Sequence, residues 1–303
     1  MRDLFLEQRP ARIALTGSGP HPFPAWFGQF ASQWDAVTDC GWQRFSHING
    51  ASVYILDTCG NPPESYPADI DLFIFMHGTS SVQHDLESFA HFLKNHPAPV
   101  VLCNADGAIE SKWESQDFLS LPANRIVAST SPSDPLFSDI LCAALPPCCR
   151  LQFARMTRAR KAQALIASTL LGSFSAACGI IGLQPIPLAD LPVLTSLQGF
   201  MVALIIHVSG RPLQFRLGME FIGSLGISVG AGFLFRETAR AVLRIIPFWG
   251  DAISGFIAGA GTYALGRAAI AYFIEDSPIH KTRRLFKSLL KTSGKLQNPS
   301  LNP

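Results

Sequence analysis

Between Lys161 and Asp190 this 303-residue chain runs for 28 residues without a charged side chain. About 20 apolar residues in a helix cross the hydrocarbon core of a bilayer, so the first part of this run, Ala162–Leu183, is long enough to span one. Pro185 and Pro187 then break it, and a second uncharged run, Leu191–Gly210, follows. Phe221–Phe235 and Ala252–Gly266 are shorter apolar stretches bounded by arginine or acidic residues, a length that suits buried, re-entrant or tilted helices. Basic residues flank the whole block, with Arg155, Arg158, Arg160 and Lys161 before it and Lys281, Arg283, Arg284, Lys287, Lys291 and Lys295 after it. Positive flanks stay on the cytoplasmic side, which requires an even number of crossings. The simplest arrangement is one helical hairpin, with a second interfacial or re-entrant pair beyond it.

Small residues recur four apart at Gly226/Gly230, Gly255/Gly259 and Gly172/Ala176. This spacing lets helix backbones approach in lipid, where no hydrophobic drive holds helices together. Arg236, Arg240 and Arg244 form one basic stripe on a helix. They are candidates for lipid headgroups or for an acidic partner surface, and a plain solvated face is the competing reading. Pro278–Lys291 has the pattern of a basic amphipathic helix suited to a membrane surface.

Charge separates the two halves. Residues 1–150 carry 8 Lys and Arg against 16 Asp and Glu, whereas residues 151–303 carry 16 against 6. The basic half is also the apolar one. That combination points to a bilayer and not to nucleic acid. The seven cysteines have no Cys-x-x-Cys spacing, which excludes a disulfide framework or zinc site and fits a reducing compartment. The first residues lack the long apolar core of a signal peptide, so residues 1–150 are expected to stay in the cytosol, on the inner face of a membrane.

Residues 1–150 read as α/β. Short apolar strands are expected at Ala11–Thr16, Trp42–Ile48, Ser52–Leu56, Asp71–Met76, Pro99–Cys103 and Arg125–Ala128. Helices are expected at Ser81–Asn95 and Pro135–Leu145. Strands alternating with helices imply a mostly parallel, covered sheet, and Asn49-Gly50 marks one hairpin that adds an antiparallel edge. The layout resembles the Ras/Era-type GTPase domain, and the loops can be compared one by one. Asp57-Thr58-Cys59-Gly60 matches the family's Asp-x-x-Gly element, which implies Mg²⁺ support from Asp57 and a phosphate contact from Gly60. Asp106 matches the base-reading Asp, although Cys103 and Asn104 replace the Asn and Lys expected before it. Ala128-Ser129-Thr130 lies where the family has its Ser-Ala-x loop.

The first loop departs from the family. A phosphate loop needs Gly-x-x-x-x-Gly-Lys-Ser/Thr, because stacked backbone amides and one lysine cradle the phosphates. This chain has Gly17-Ser18-Gly19-Pro20-His21-Pro22-Phe23-Pro24. Three prolines remove three amide donors, and Phe23 stands where the lysine belongs. Gly17, Asp57, Gly60 and Asp106 are therefore remnant positions of a nucleotide site. No cofactor is expected, with GTP and Mg²⁺ only under an alternative reading. Asp57 also has a plain structural reading, as a cap for the turn after its strand. His77, His84, His91 and His96 lack metal spacing, and no catalytic set stands out.

In the second half, Pro185-Ile186-Pro187-Leu188-Ala189-Asp190, Ile246-Pro247-Phe248-Trp249-Gly250 and Thr262-Tyr263-Ala264-Leu265-Gly266-Arg267 resemble the YcjF-type domain of unknown function that follows Era-like GTPases. The resemblance covers about residues 160–275 and implies no known reaction. The sequence thus describes a degenerate GTPase-like domain, 1–150, followed by a membrane domain, 151–303. Its expected role is that of a membrane-anchored pseudo-GTPase serving as an interaction or scaffold module, with the bilayer and a protein or second copy as partners.

Overall fold

The computed structural model describes residues 8–17, 26, 28–30, 33–36, 42–59, 67–77, 96–104, 126–130, 132, 134–183, 190–225 and 250–296. The chain divides into two compact units, 1–162 and 163–303.

The first unit is α/β. Its strands are β1 (Ala11–Gly17), β2 (Gln33–Ala36), β3 (Trp42–Ser46), β4 (Ser52–Asp57), β5 (Leu72–His77), β6 (Val100–Asn104) and β7 (Ile126–Thr130). They form one sheet in the order β2-β3-β4-β1-β5-β6-β7. β1 is parallel to both β4 and β5, and the parallel run continues through β6 to β7. β2 and β3 are antiparallel to their neighbours. The central strands bury every described side chain from Ile13 to Leu15 and from Leu72 to Met76, the continuous apolar pattern of strands covered on both faces. α1 (Phe137–Ala144) and α2 (Pro147–Thr157) follow; Pro147 opens α2, where its missing N–H costs nothing. The helix expected at Ser81–Asn95 lies outside the described residues.

Two elements differ from the sequence expectation. β2 is an additional antiparallel edge strand, and α2 extends the first unit past residue 150. The reason for the second lies in contacts: α2 packs on β1 and β4. At its last turn Arg155 Nη2 donates to Asn49 O at 2.9 Å, and Asn49 Nδ2 donates back to Arg155 O at 3.2 Å. On the same amino-terminal edge of the sheet, before β1 and β5, Arg9 clasps Asp71 with both guanidinium arms, and Asp71 Oδ2 also accepts from Arg12 N at 2.9 Å.

The second unit consists of helices. α3 (Arg160–Gly182) begins in the first unit and is followed by α4 (Asp190–Val208), α5 (Phe215–Ser224), α6 (Gly250–Phe273) and α7 (Ile279–Leu296). α3 and α4 are helices where Ala162–Leu183 and Leu191–Gly210 were expected, but of the two only α3 is long and apolar enough to cross a membrane, and α6 runs through Arg267, past the expected end at Gly266. The Arg267 charge is met by Glu275 at 3.1 Å. Gly255 and Gly259 bring α6 against α3: a Cβ on Gly255 would stand 2.7 Å from Gly179 O. Gly172 instead faces open space, and Gly226/Gly230 lie outside the described residues. α7 was expected to rest its apolar face on a membrane. It turns that face inward, burying Thr282 and Phe286 as it packs on α6, and exposes Lys281, Arg283, Arg284, Lys287 and Lys291.

Among the described residues α3 is the one helix long and apolar enough to cross a membrane, and only 28% of its most apolar window is buried. Leu165 is 67% and Ile180 64% exposed. Three of the hydroxyls along it are turned back onto their own helix: Ser168 Oγ donates to Ala164 O, Thr169 Oγ1 to Leu165 O and Ser173 Oγ to Thr169 O, at 2.7, 3.1 and 3.1 Å, whereas the buried Ser175 Oγ has no hydrogen-bond partner among the described residues.

Candidate functional site

In an open α/β sheet the binding crevice lies beyond the carboxyl ends of the strands, where the strand order reverses. Here the order reverses at β1, because the chain first adds β4 on one side of it and then β5 on the other. The strand ends at that edge are Gly17, Asp57, His77 and Asn104. The structure therefore brings Gly17 and Asp57 onto the carboxyl ends of neighbouring strands. Gly60, Asp106, Arg236, Arg240 and Arg244 lie outside the described residues, as do Ser18 to Pro24 of the first loop.

Gly17 is required by geometry. Its φ is +122°, and a Cβ there would sit 2.0 Å from Met76 O. No other residue can end β1 this close to β5 without moving backbone. β1 can thus leave the sheet tightly, whether or not anything binds beyond it.

Asp57 is exposed at the end of β4. Its Oδ1 accepts from Cys59 N at 3.1 Å, an Asx turn that stops the strand. Thr58 locks the same corner: its backbone N and its Oγ1 both donate to Leu15 O, at 2.9 and 2.7 Å. The plain reading of Asp57 as a turn cap is therefore the role its carboxylate has in the fold. Burial and then the Asp57 charge push the thiol of Cys59 beside it well above the usual range, which disfavours the thiolate. Burial likewise pushes Cys103, at the end of β6, up to about 12.

Ala128, Ser129 and Thr130 are strand residues paired with Val101, Leu102 and Cys103 of β6, so they do not form the loop expected there. His96 Nε2 meets Pro67 O at 2.7 Å and its ring stands edge-on to Phe73, a packing role. No cluster of His, Cys, Asp or Glu capable of holding a metal occurs among the described residues. Trp26, which follows the proline-rich loop, packs edge-on against Phe137 of α1 at 4.9 Å between ring centres. It is an anchor that the sequence did not single out.

In the helical unit two polar contacts are closed locally. Glu220 pairs with Arg216 at 2.8 Å on an exposed face of α5. Gln198 Nε2 donates to Thr262 Oγ1 at 3.0 Å, and that hydroxyl donates to Ala258 O, tying α4 to α6. A groove between α3 and α6, lined by Gly179, Ile180, Leu183, Phe256 and Tyr263, is apolar.

No protein-family model matches this chain, and no curated protein aligns with it significantly.

Proposed function

We propose that this chain is a membrane-anchored pseudo-GTPase: a cytosolic α/β unit that presents a protein-binding surface and does no nucleotide chemistry, held at the inner face of a bilayer by its helical unit. The single observation that carries the reading is the run Pro20-His21-Pro22-Phe23-Pro24 after Gly17, which replaces both the amide cradle and the lysine that a triphosphate needs. Three further points support it. The order β3-β4-β1-β5-β6-β7 is that of the Ras-like sheet, with β2 added at the edge. The carboxylate at the metal-support position, Asp57, is engaged in its own turn. α3 leaves most of its apolar window uncovered, as a helix in lipid does and a core helix does not. Basic flanks on both sides of the helices favour the cytosolic orientation, and the YcjF-type resemblance of residues 160–275 accords with a GTPase-like domain fused to a membrane domain.

The alternative reading is a GTP-binding protein with an unorthodox loop, using Asp57, Gly60 and Asp106 with Mg²⁺. Its support is that Gly17 and Asp57 stand on adjacent strand ends at the switch point. Calorimetry on the full chain in detergent micelles, with GTP and Mg²⁺, separates the two. The proposal expects no binding heat. Micromolar, Mg²⁺-dependent binding abolished by Asp106→Ala would establish the alternative.

A further inference from the structure

The hairpin between β3 and β4 carries an apolar residue that the fold does not use. His47 O accepts from Gly50 N at 2.9 Å, and His47 N donates to Ala51 O at 2.8 Å. Gly50 has φ +78°. These bonds close a three-residue loop, Ile48-Asn49-Gly50, with glycine in the left-handed position. Asn49 is occupied, because its Oδ1 accepts from Ala51 N at 3.0 Å and its Nδ2 bonds Arg155 O. Ile48 is 88% exposed, more than any other large hydrophobic residue described. A turn position tolerates polar residues freely, so an isoleucine held in water here has no structural reason.

Its surroundings supply one. The bonds between Asn49 and Arg155 fix the tip against the last turn of α2. Arg158 ends that helix in a left-handed conformation, φ 53°, and α3 starts two residues later. Asp139 of α1 holds the first turn of α3 by accepting from Ala162 N at 2.9 Å. Arg158, Arg160 and Lys161 are all exposed. Residues immediately before a membrane span lie in the headgroup layer through chain connectivity alone. The acidic balance of residues 1–150 makes this basic corner the part of the unit that an anionic surface attracts.

We infer that the Ile48 tip inserts into the headgroup layer of an anionic phospholipid bilayer while Arg158, Arg160 and Lys161 meet lipid phosphates, so that the α/β unit lies on the membrane in one orientation. The inference rests on the reading of α3 as a span. The test uses the full chain with Ile48→Trp in phosphatidylcholine vesicles with and without phosphatidylglycerol, compared with the unsubstituted chain. The emission added by residue 48 is expected to shift to the blue, to resist acrylamide and to be lost on lipids brominated high in the acyl chain. Arg158→Gln with Lys161→Gln is expected to reduce that loss in the anionic vesicles. If the chain floats with vesicles and resists carbonate but residue 48 remains open to acrylamide, the inference falls and the membrane reading stands. If residue 48 is shielded from acrylamide yet unaffected by brominated lipid, the tip is covered by protein and the inference also falls. If carbonate releases the chain, the membrane reading falls and the inference with it.

Discussion

In the sheet unit Ile13, Leu15, Leu72 and Ile74 are wholly shielded, and the charge that accompanies them, Asp71, is shielded and paired. In the helical unit Leu165, Ile180, Phe200, Phe256 and Tyr263 face outward, and Ser168, Thr169 and Ser173 of α3 bond to their own backbone. The first pattern is how a chain separates its apolar groups from water. The second leaves large apolar groups uncovered, which is what the proposed membrane reading requires. Both halves are rich in hydrophobic residues, so the placement of those residues, and not their number, separates the two halves.

The sheet side of this contrast is tested most severely at Asp71. It receives both arms of Arg9, the amide of Arg12 and the thiol of Cys149, the last at 3.5 Å. Asp71→Ala removes the acceptor of the Arg12 amide and the Cys149 thiol, while Arg9, whose side chain is 46% exposed, can turn to water; the expected loss is up to about 3 kcal/mol. Denaturant unfolding of the full chain in micelles, followed through a probe on the sheet unit, measures it. A loss below about 1 kcal/mol would place the clasp among ordinary surface pairs.

Gly172 tests the helical side through the sign of its effect. Nothing lies within 4 Å of a Cβ added there, and the position is exposed on α3. In water Gly172→Lys would strengthen the helix by up to about 1 kcal/mol, since glycine is a poor helix former. At the centre of a span the same lysine costs about 3 kcal/mol. Membrane retention after carbonate treatment reads the sign directly: retention is expected to fall, and a more stable soluble variant would overturn the contrast.

Gly255 sharpens the comparison at a smaller scale. Gly255→Val would place atoms 2.6 Å from the Leu183 side chain and 2.7 Å from Gly179 O. The leucine can move, but the backbone carbonyl cannot without separating α6 from α3. The expected loss is about 2 kcal/mol, seen as earlier thermal unfolding in micelles, while Gly172→Ala, with open space around it, costs nothing.

How much of this was legible in the sequence follows from the same contrast. Leu72–Met76 announced β5 because a strand buried on both faces must be apolar at every position. Ala162–Leu183 announced α3 because an uninterrupted apolar run of that length, with no charge and no proline, reads as one long helix. β2 was hidden because Gln33-Trp34-Asp35-Ala36 has no pattern of its own; it is a strand because β3 offers it a ladder. α2 was hidden because it is buried at five successive residues, Phe153 to Thr157, which erases the helical period. At the candidate site the sequence located Gly17 and Asp57 correctly at strand ends, since both ends are marked by an apolar run stopping at a small or polar residue. It also placed Ala128-Ser129-Thr130 in a loop, where the pairing with β6 makes them strand. For α7 it read amphipathy correctly but assigned the apolar face to a membrane, because periodicity reveals that a face is covered and not by what.

The last prediction concerns pH and isolates the sheet unit. Burial holds the thiols of Cys103 and Cys142 at about 12, against an ordinary value of about 9. A raised value means the folded state keeps a proton that the unfolded state gives up first. The associated stability is therefore complete below about pH 9 and drains away as pH rises toward 12. Near pH 10 the loss is on the order of 1 kcal/mol per thiol, so unfolding midpoints should be flat from pH 7 to 8.5 and decline above 9. Cys59 and Cys149 are raised in the same direction, and Cys103→Ala, which removes one of the protons involved, should make that decline shallower. A decline equally steep in the variant would mean that water reaches the end of β6 and that the sheet core is less sealed than its packing requires.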